Sequence, residues 1–215
     1  MTAVNLGGES DKVQLWEGGP YWATKNIGAE KPEDYGYYFW WGDTIGYKRE
    51  NDQWVASDGS SSGFSFYANA QIQTDQKTLD DLRGSGWITA DGVLAPEHDA
   101  AQVQWGNGWR MPTDQEINDL RLKCDWTQTT LNGVDGYEVR GKGDYESASI
   151  FLPCAGEGEG GVLEYARSRG YCWSSVPHSV GSHSWCLAFY SGFRSTDYYG
   201  RYFGRSIRPV QSSAE

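Results

Sequence analysis

The sequence predicts an α+β fold built from many short strands and few helices. One helix is well marked over residues 114–123, because Thr113 and Glu116 have the spacing of a capping box. The rest of the chain consists largely of short apolar and polar alternations separated by glycine-rich turns, which is typical of small antiparallel sheets. The composition agrees, since 28 Gly, 11 Trp, 14 Tyr and 7 Phe among 215 residues favour turns and strands.

In chain order, the first predicted strand is the alternation around Val13 and Leu15, which ends at the turn over residues 18–20. Residues 21–28 predict the returning strand, and the aromatic run 37–41 predicts a further β segment. A loop is predicted at 57–63, followed by three aromatic residues at 64, 66 and 67, and a short helix at 77–83. Later strands are predicted around residues 137–139, 150–152, 185–189 and 207–210.

Length and charge limit the classes of protein to consider. We expect a single domain over 13–210, with a flexible N-terminus at 1–12 and a tail at 211–215. A net charge of −11 argues against a nucleic-acid partner, because phosphate binding needs a basic face. No stretch approaches the roughly 18 apolar residues of a membrane helix, so no membrane insertion is expected. The first ten residues have no basic start and no apolar run, which predicts no signal peptide.

The four cysteines, at 124, 154, 172 and 186, form no CxxC pair, which argues against zinc-ribbon and thioredoxin-like sites. An even count allows two disulfides, but a chain of this length does not need them. Free thiols are the favoured interpretation.

Three stretches resemble the Fibrobacter-type major paralogous domain, and together they span about residues 13–210. They are Tyr21-Trp22-Ala23-Thr24 with Asn26-Ile27-Gly28-Ala29 and Pro32-Glu33-Asp34-Tyr35-Gly36; Glu97-His98-Asp99-Ala100-Ala101 with Trp109-Arg110-Met111-Pro112-Thr113; and Tyr171-Cys172-Trp173-Ser174-Ser175 with Arg205-Ser206-Ile207-Arg208-Pro209-Val210.

This family is similar to the formylglycine-generating-enzyme branch of the C-type-lectin-like fold. The resemblance implies that fold, a surface or binding role, and a last strand that pairs back near the N-terminus. The chain departs from the family pattern at Cys172, where an aromatic residue is usual, and in lacking an exported, lipidated N-terminus.

A second resemblance rests on residue usage in the segment 165–210. Its 46 residues contain no Lys, Glu, Gln or Met, whereas the other 169 residues contain 32 of them. At that rate about nine would be expected in the segment. The probability that none occurs by chance is on the order of one in ten thousand, before a correction for having chosen the segment after inspecting the sequence. Codons scrambled at their first two bases and ending in C cannot encode these residues or Trp. The segment therefore resembles the diversified part of a retroelement variable protein, in which Trp173 and Trp185 would be fixed scaffold.

The resemblance implies a binding protein of a phage virion or bacterial cell surface, whose macromolecular ligand is a protein or a cell-surface glycan. A non-diversified surface or adhesion domain of the same family is the alternative, since glycine-rich hairpins also avoid long charged residues. A formylglycine-generating-type enzyme is less favoured, because Cys172 and Cys186 are 14 residues apart in unmatched surroundings. No catalytic residue and no cofactor are predicted.

Metal sites are weakly supported by the residue pattern. Cys172, His178, His183 and Cys186 do not have the spacing of a common zinc site. The sugar-binding motifs of calcium lectins are absent, while a structural calcium in the acidic loops stays open. His98, beside Glu97 and Asp99, is interpreted as the structural start of a helix or turn.

The predicted ligand-binding residues combine exposed aromatic, histidine and arginine side chains, as in antibody paratopes. We place all of them except Tyr190 on two neighbouring loops, 176–183 and 194–205, and expect a local charge of +2 over residues 174–206. The predicted set is His178, His183, Tyr190, Arg194, Asp197, Tyr198, Tyr199, Arg201, Phe203 and Arg205.

Other residues of this region are divided between the core and an exposed strand face. Leu187, Phe189 and Ile207 are predicted core residues, whereas alternation places Cys186, Ala188 and Tyr190 on the exposed face of their strand. Six tryptophans are predicted to be mostly buried: Trp22, Trp41, Trp105, Trp109, Trp173 and Trp185.

Overall fold

A computed structural model describes residues 12–60, 66 and 76–213 of the chain. The strands are β1 (Lys12–Gln14), β2 (Tyr21–Ala23), β3 (Tyr47–Glu50), β4 (Gln53–Ala56), β5 (Trp109–Arg110), β6 (Asp125–Leu131), β7 (Val134–Arg140), β8 (Ser149–Pro153), β9 (Glu157–Glu159), β10 (Val162–Glu164), β11 (Arg169–Pro177), β12 (His183–Tyr190), β13 (Phe193–Gly200) and β14 (Val210–Gln211). Within these described ranges the α-helices are α1 (Leu79–Gly84), α2 (Ala100–Trp105) and α3 (Asp114–Lys123), and short 3-10 turns lie at Pro96–His98 and Gly143–Tyr145. The predicted α+β class is confirmed.

The helices begin where their sequences provide caps. Thr113 accepts the backbone N–H of Glu116, whose carboxylate in turn accepts the N–H of Thr113, so the predicted capping box and the bounds of α3 are confirmed. Thr78 and Asp81 form the same reciprocal pair at α1, close to the predicted 77–83. Asp99 caps α2 with its buried carboxylate, which also accepts the N–H of Met111. The structural interpretation of the Glu97–Asp99 cluster therefore holds for Asp99.

The strands form several small antiparallel sheets rather than one large sheet. The four-stranded sheet has the order β1-β2-β14-β5, so the last strand lies between two early ones. The three-stranded sheets are β6-β7-β8 and β11-β12-β13, and β3-β4 and β9-β10 are two-stranded. The aromatic run 37–41 forms isolated bridges instead of a strand: Tyr38 pairs with Tyr47, and Phe39 pairs with Arg205.

Strand β12 separates two parts of the core. Leu187 and Phe189 pack into one cluster with α3 and β6-β7-β8, while Cys186 and Ala188 pack into another with α1 and α2. The prediction that Cys186 and Ala188 are exposed is therefore wrong, because the strand has hydrophobic layers on both faces. Gly170, opposite Phe189, leaves room for that ring, since a Cβ there would lie 2.0 Å from it.

The tryptophans divide into two groups. Trp22, Trp41 and Trp173 are buried as predicted. Trp105, Trp109 and Trp185 are only half-buried, so the expectation for these three is corrected.

The termini differ slightly from the expected bounds. Lys12 already belongs to β1, and Gln211 belongs to β14. Residues 1–11, 61–65, 67–75 and 214–215 lie outside the described residues; they include parts of the expected flexible N-terminus, loop and tail and two of the three aromatic residues that follow the loop.

Candidate functional site: the sheet β11-β12-β13

The predicted site residues lie on one sheet and on the segment that follows it. The connection from β11 to β12 is a tight turn, closed by the His178 N–H to the His183 carbonyl (3.0 Å) and by the His183 N–H to that of Val180 (3.0 Å). Residues 194–200, expected on a loop, instead form β13, which pairs in full register with β12. Alternate residues of β13 therefore point to opposite faces of the sheet.

One face carries a histidine–aromatic patch, made of His178, His183, Trp185 and Tyr198. Trp185 and Tyr198 are directly opposed across the strands, and their ring centroids are 5.7 Å apart. His178 stacks on Tyr198 at 3.9 Å, with its ring edge-on to Trp185 at 4.7 Å. Tyr198 is 42% exposed and the other three are half-buried, so the patch is accessible to a partner.

Hydrogen bonding fixes the orientation of His178. The Val180 N–H donates to His178 Nδ1 at 3.0 Å, so the neutral ring carries its proton on Nε2, at the other end of the ring. Burial lowers the pKa of His178, and the nearby positive charges of His183 and Arg201 lower it further, while Asp197 opposes the shift. At neutral pH the patch therefore presents an uncharged imidazole.

A second accessible group, the tyrosine–arginine patch, consists of Tyr165, Arg169, Tyr190 and Phe193. The Arg169 guanidinium lies 4.0 Å from the Tyr165 ring centroid and 5.0 Å from that of Tyr190. Tyr190 stacks on Phe193 at 4.6 Å. Tyr165 and Phe193 are among the most exposed large side chains, at 43% and 41%.

Only Tyr190 of this second patch belongs to the predicted set. Tyr165 and Arg169 were missed because they precede the two expected loops, although both lie inside the segment 165–210. The available signal was that segment itself, since its Tyr and Arg content extends to its first residues.

Arg205, predicted to contact ligand, is instead fully buried. It forms an ion pair with Glu157 (Nε to Oε2, 2.9 Å), and its Nη1 lies 2.9 Å from Cys186 Sγ. Its guanidinium is surrounded by the rings of Tyr171, Trp173, Tyr199 and Phe203, at 4.0–5.1 Å. This Arg205 cage is part of the scaffold, so the prediction of an exposed Arg205 is corrected.

Arg201 is likewise fully buried, which corrects its predicted exposure. It donates to the carbonyls of Lys77 (2.9 Å) and Gly181 (2.7 Å) and to the Ser184 hydroxyl (3.0 Å). It thereby holds the β11–β12 turn against the segment that precedes α1.

The other predicted residues keep part of their surface accessible. Arg194 is exposed and lies 5.9 Å from the Trp126 ring, and Asp197 is half-buried. Tyr199 and Phe203, which belong to the Arg205 cage, are half-buried, and burial raises the pKa of Tyr199 to about 12. With Arg201 and Arg205 buried, the charged side chains that keep accessible surface over 174–206 are Arg194 and Asp197, whose charges cancel, so the expected +2 surface is wrong.

The cysteines and histidines do not come together as one site. The four cysteines are buried free thiols, which confirms the favoured interpretation. Burial raises the pKa of each, to about 12 for Cys172 and about 11 for Cys186. Across residues 12–60, 66 and 76–213, no group of three or more His, Cys, Asp or Glu side chains could hold a metal ion.

Comparison with protein-family models, with curated proteins and with solved structures gives no match. Among the helices described above, none has both the length and the apolar character needed to cross a membrane.

Proposed function

We propose that the protein is a ligand-binding protein with a C-type-lectin-like fold, and that it is the variable protein of a diversity-generating retroelement. The ligand is a protein or a cell-surface glycan, and the contact surface is the sheet β11-β12-β13. The observation that carries the proposal is that two accessible aromatic patches both come from the segment 165–210. Accessible Tyr, His and Arg side chains on a hydrogen-bonded sheet have the chemistry of a paratope.

The division of that segment into buried and accessible positions supports this proposal. Trp173 and Arg205 lie in the core, whereas Tyr165, Phe193 and Tyr198 are each more than 40% exposed. A diversified surface needs this separation, because changes at exposed positions alter stability by only about ±0.5 kcal/mol. The fold can therefore persist while the surface changes.

The proposal assigns no catalytic role. A nucleophilic cysteine needs a lowered thiol pKa and access to substrate. Burial instead raises the pKa of the thiols, and all four are covered.

The test compares the gene among independent isolates and examines its neighbourhood. We expect a reverse-transcriptase gene and a template repeat nearby, with substitutions at adenine positions of the template. The substitutions should fall in codons of accessible residues such as His178, Arg194 and Tyr198, and should spare Trp173 and Trp185. Substitutions spread evenly over synonymous sites along the whole gene, with no template repeat, would refute the variable-protein assignment.

A non-diversified surface domain of the major paralogous family is the second candidate. The observation that favours it is that the unusual residue usage also covers buried positions, including Arg201 and Cys172, where variation would disturb the core. Under this candidate, isolates carry the same residues in both patches.

A further inference from the structure

A second accessible site lies away from the sheet β11-β12-β13. It is a cleft of about 560 Å³ beside the four-stranded sheet, a size typical of small-molecule sites. Its lining comes from the segment after β2, from α2 and from β5. The lining residues are Lys25, Gly28, Ala29, Gln104, Trp105 and Trp109.

Two indole rings form a corner of this cleft. Trp105 and Trp109 lie 5.2 Å apart with their planes at 84°, so one ring meets the other edge-on and no ligand fits between them. Both side chains are half-buried, which leaves ring surface open to the cleft. Buried Trp41 and Trp173 use their indole N–H to bond backbone carbonyls, whereas Trp105 and Trp109 make no such bond within the described chain.

The corner depends on an unusual turn. Gly106, Asn107 and Gly108 have consecutive positive φ angles of 58°, 51° and 80°. The Trp109 N–H donates to the Gly106 carbonyl, and Gln211 Nε2 donates to that of Asn107 at 2.8 Å. Glycine adopts this left-handed region without strain and asparagine tolerates it, so the sequence Gly-Asn-Gly suits a turn of this shape between the two indoles.

The polar groups of the cleft are mainly donors. Among the described residues that line it, Lys25 alone is ionisable, on a chain with a net charge of −11, and it forms no ion pair with another described residue. Its segment is fixed on both sides, because the N–H groups of Ala23 and Ile27 donate to the carbonyls of Pro209 and Ile207. Gln104 is also fixed, since its amide donates to the carbonyls of Thr44 and Ile45, leaving its oxygen as an acceptor.

We propose that this cleft binds a carboxylated sugar residue, such as a uronate. The apolar C–H face of a pyranose ring packs on an indole, and its hydroxyls accept from or donate to the groups at the rim. The ammonium of Lys25, with no carboxylate among the lining residues that the structure describes, pairs with the sugar carboxylate. A neutral sugar would leave that charge without a partner.

The experiment measures binding by nuclear magnetic resonance of the full chain labelled with ¹⁵N. The probes are methyl β-D-glucuronide, methyl β-D-glucoside, which lacks only the carboxylate, and sodium acetate, which lacks the ring. We expect saturable shifts of the Trp105 and Trp109 indole N–H signals with the glucuronide alone. The Trp105→Phe and Trp109→Phe variants assign those signals.

The matched variants are Lys25→Gln and Lys31→Gln, the latter at an exposed lysine outside the lining. We expect Lys25→Gln to weaken glucuronide binding by about tenfold or more, as loss of a charged hydrogen bond should, and Lys31→Gln to leave it unchanged. Thermal unfolding verifies that each variant is folded.

Equal binding of glucoside or acetate, unaltered binding by folded Lys25→Gln, or no saturable shift would each overturn the proposal. The result is independent of the gene comparison, since none of the cleft residues lies in the segment 165–210.

Discussion

Substitution of Arg205 by Met tests whether this arginine belongs to the scaffold or to the contact surface. Both Arg205 and its partner Glu157 are nearly inaccessible, and the guanidinium lies among four aromatic rings. Methionine fills much of the same volume but cannot neutralise the Glu157 carboxylate. The variant therefore leaves a buried charge without its ion-pair partner.

The expected loss follows from that unpaired charge. Removing one member of a buried ion pair costs about 3–5 kcal/mol. In a chain of 215 residues, each kcal/mol shifts the unfolding midpoint by about 2–4 °C, so the midpoint should fall by about 6–20 °C. Adding Glu157→Gln removes the orphaned charge, so the double variant should recover at least about 1 kcal/mol of that loss.

The assay is equilibrium unfolding in urea, followed by tryptophan fluorescence, with circular dichroism for the thermal midpoint. Arg194→Met is the matched control, because Arg194 is exposed and its guanidinium lies 5.9 Å from the Trp126 ring centroid. It should change stability by less than about 1 kcal/mol. If Arg205→Met were as stable as Arg194→Met, Arg205 would have to be returned to the contact surface.

Three further predictions concern titratable groups. The imidazole of His178 should titrate by nuclear magnetic resonance with a midpoint below 6.5, because burial lowers its pKa. Acid should then break the hydrogen bond from the Val180 N–H to Nδ1, because a protonated ring nitrogen cannot accept, and a midpoint above 6.5 would contradict the prediction. Burial raises the pKa of Asp43 to about 6, so its contribution to stability is present below about pH 4 and is lost as the pH rises through 6. The unfolding free energy of Asp43→Asn, relative to that of the wild type, should therefore rise by about 2 kcal/mol between pH 4 and pH 7. A difference in unfolding free energy that stays constant over this range would refute the prediction. Because all four thiols are buried and free, they should react with Ellman's reagent only after the protein is unfolded, and no reductant should be needed. Fewer than four reactive thiols in the unfolded protein would indicate a disulfide.

Local signals in the sequence predicted local structure well. The capping box of Thr113 and Glu116 determined α3 to the residue, because both partners lie within one helical turn. The alternation of β12 correctly placed Leu187 and Phe189 in the core. The same alternation wrongly placed Cys186 and Ala188 on an exposed face. A second hydrophobic layer covers that face of β12, whereas the alternation rule assumes that only one face of a strand is buried.

The candidate site was predictable only in part, because burial of arginine depends on distant residues. Arg205 is separated from Glu157 by 48 residues, and Arg201 from the Lys77 carbonyl by 124. No pattern near either arginine indicates such partners. Trp105 and Trp109 were likewise assigned to the core by residue type, whereas the turn over 106–108 brings them to the edge of a cleft.

Strand β14 lies between β2 and β5, so the four-stranded sheet can be completed only after the last part of the chain has been made. Strand β5 has β14 as its partner, and Arg208 joins the carbonyls of Ala23 and Phe151. Neither the strand pairing nor the Arg208 hydrogen bonds can form before residues 208–211 are made. A nascent chain that stops earlier leaves one edge of β2 unpaired and β5 without a partner strand, and unpaired strands are prone to aggregation. A stop or frameshift within 165–206 removes the closing strand together with the proposed contact surface. The four-stranded sheet can therefore be completed only in a chain that has been translated through the whole segment 165–206.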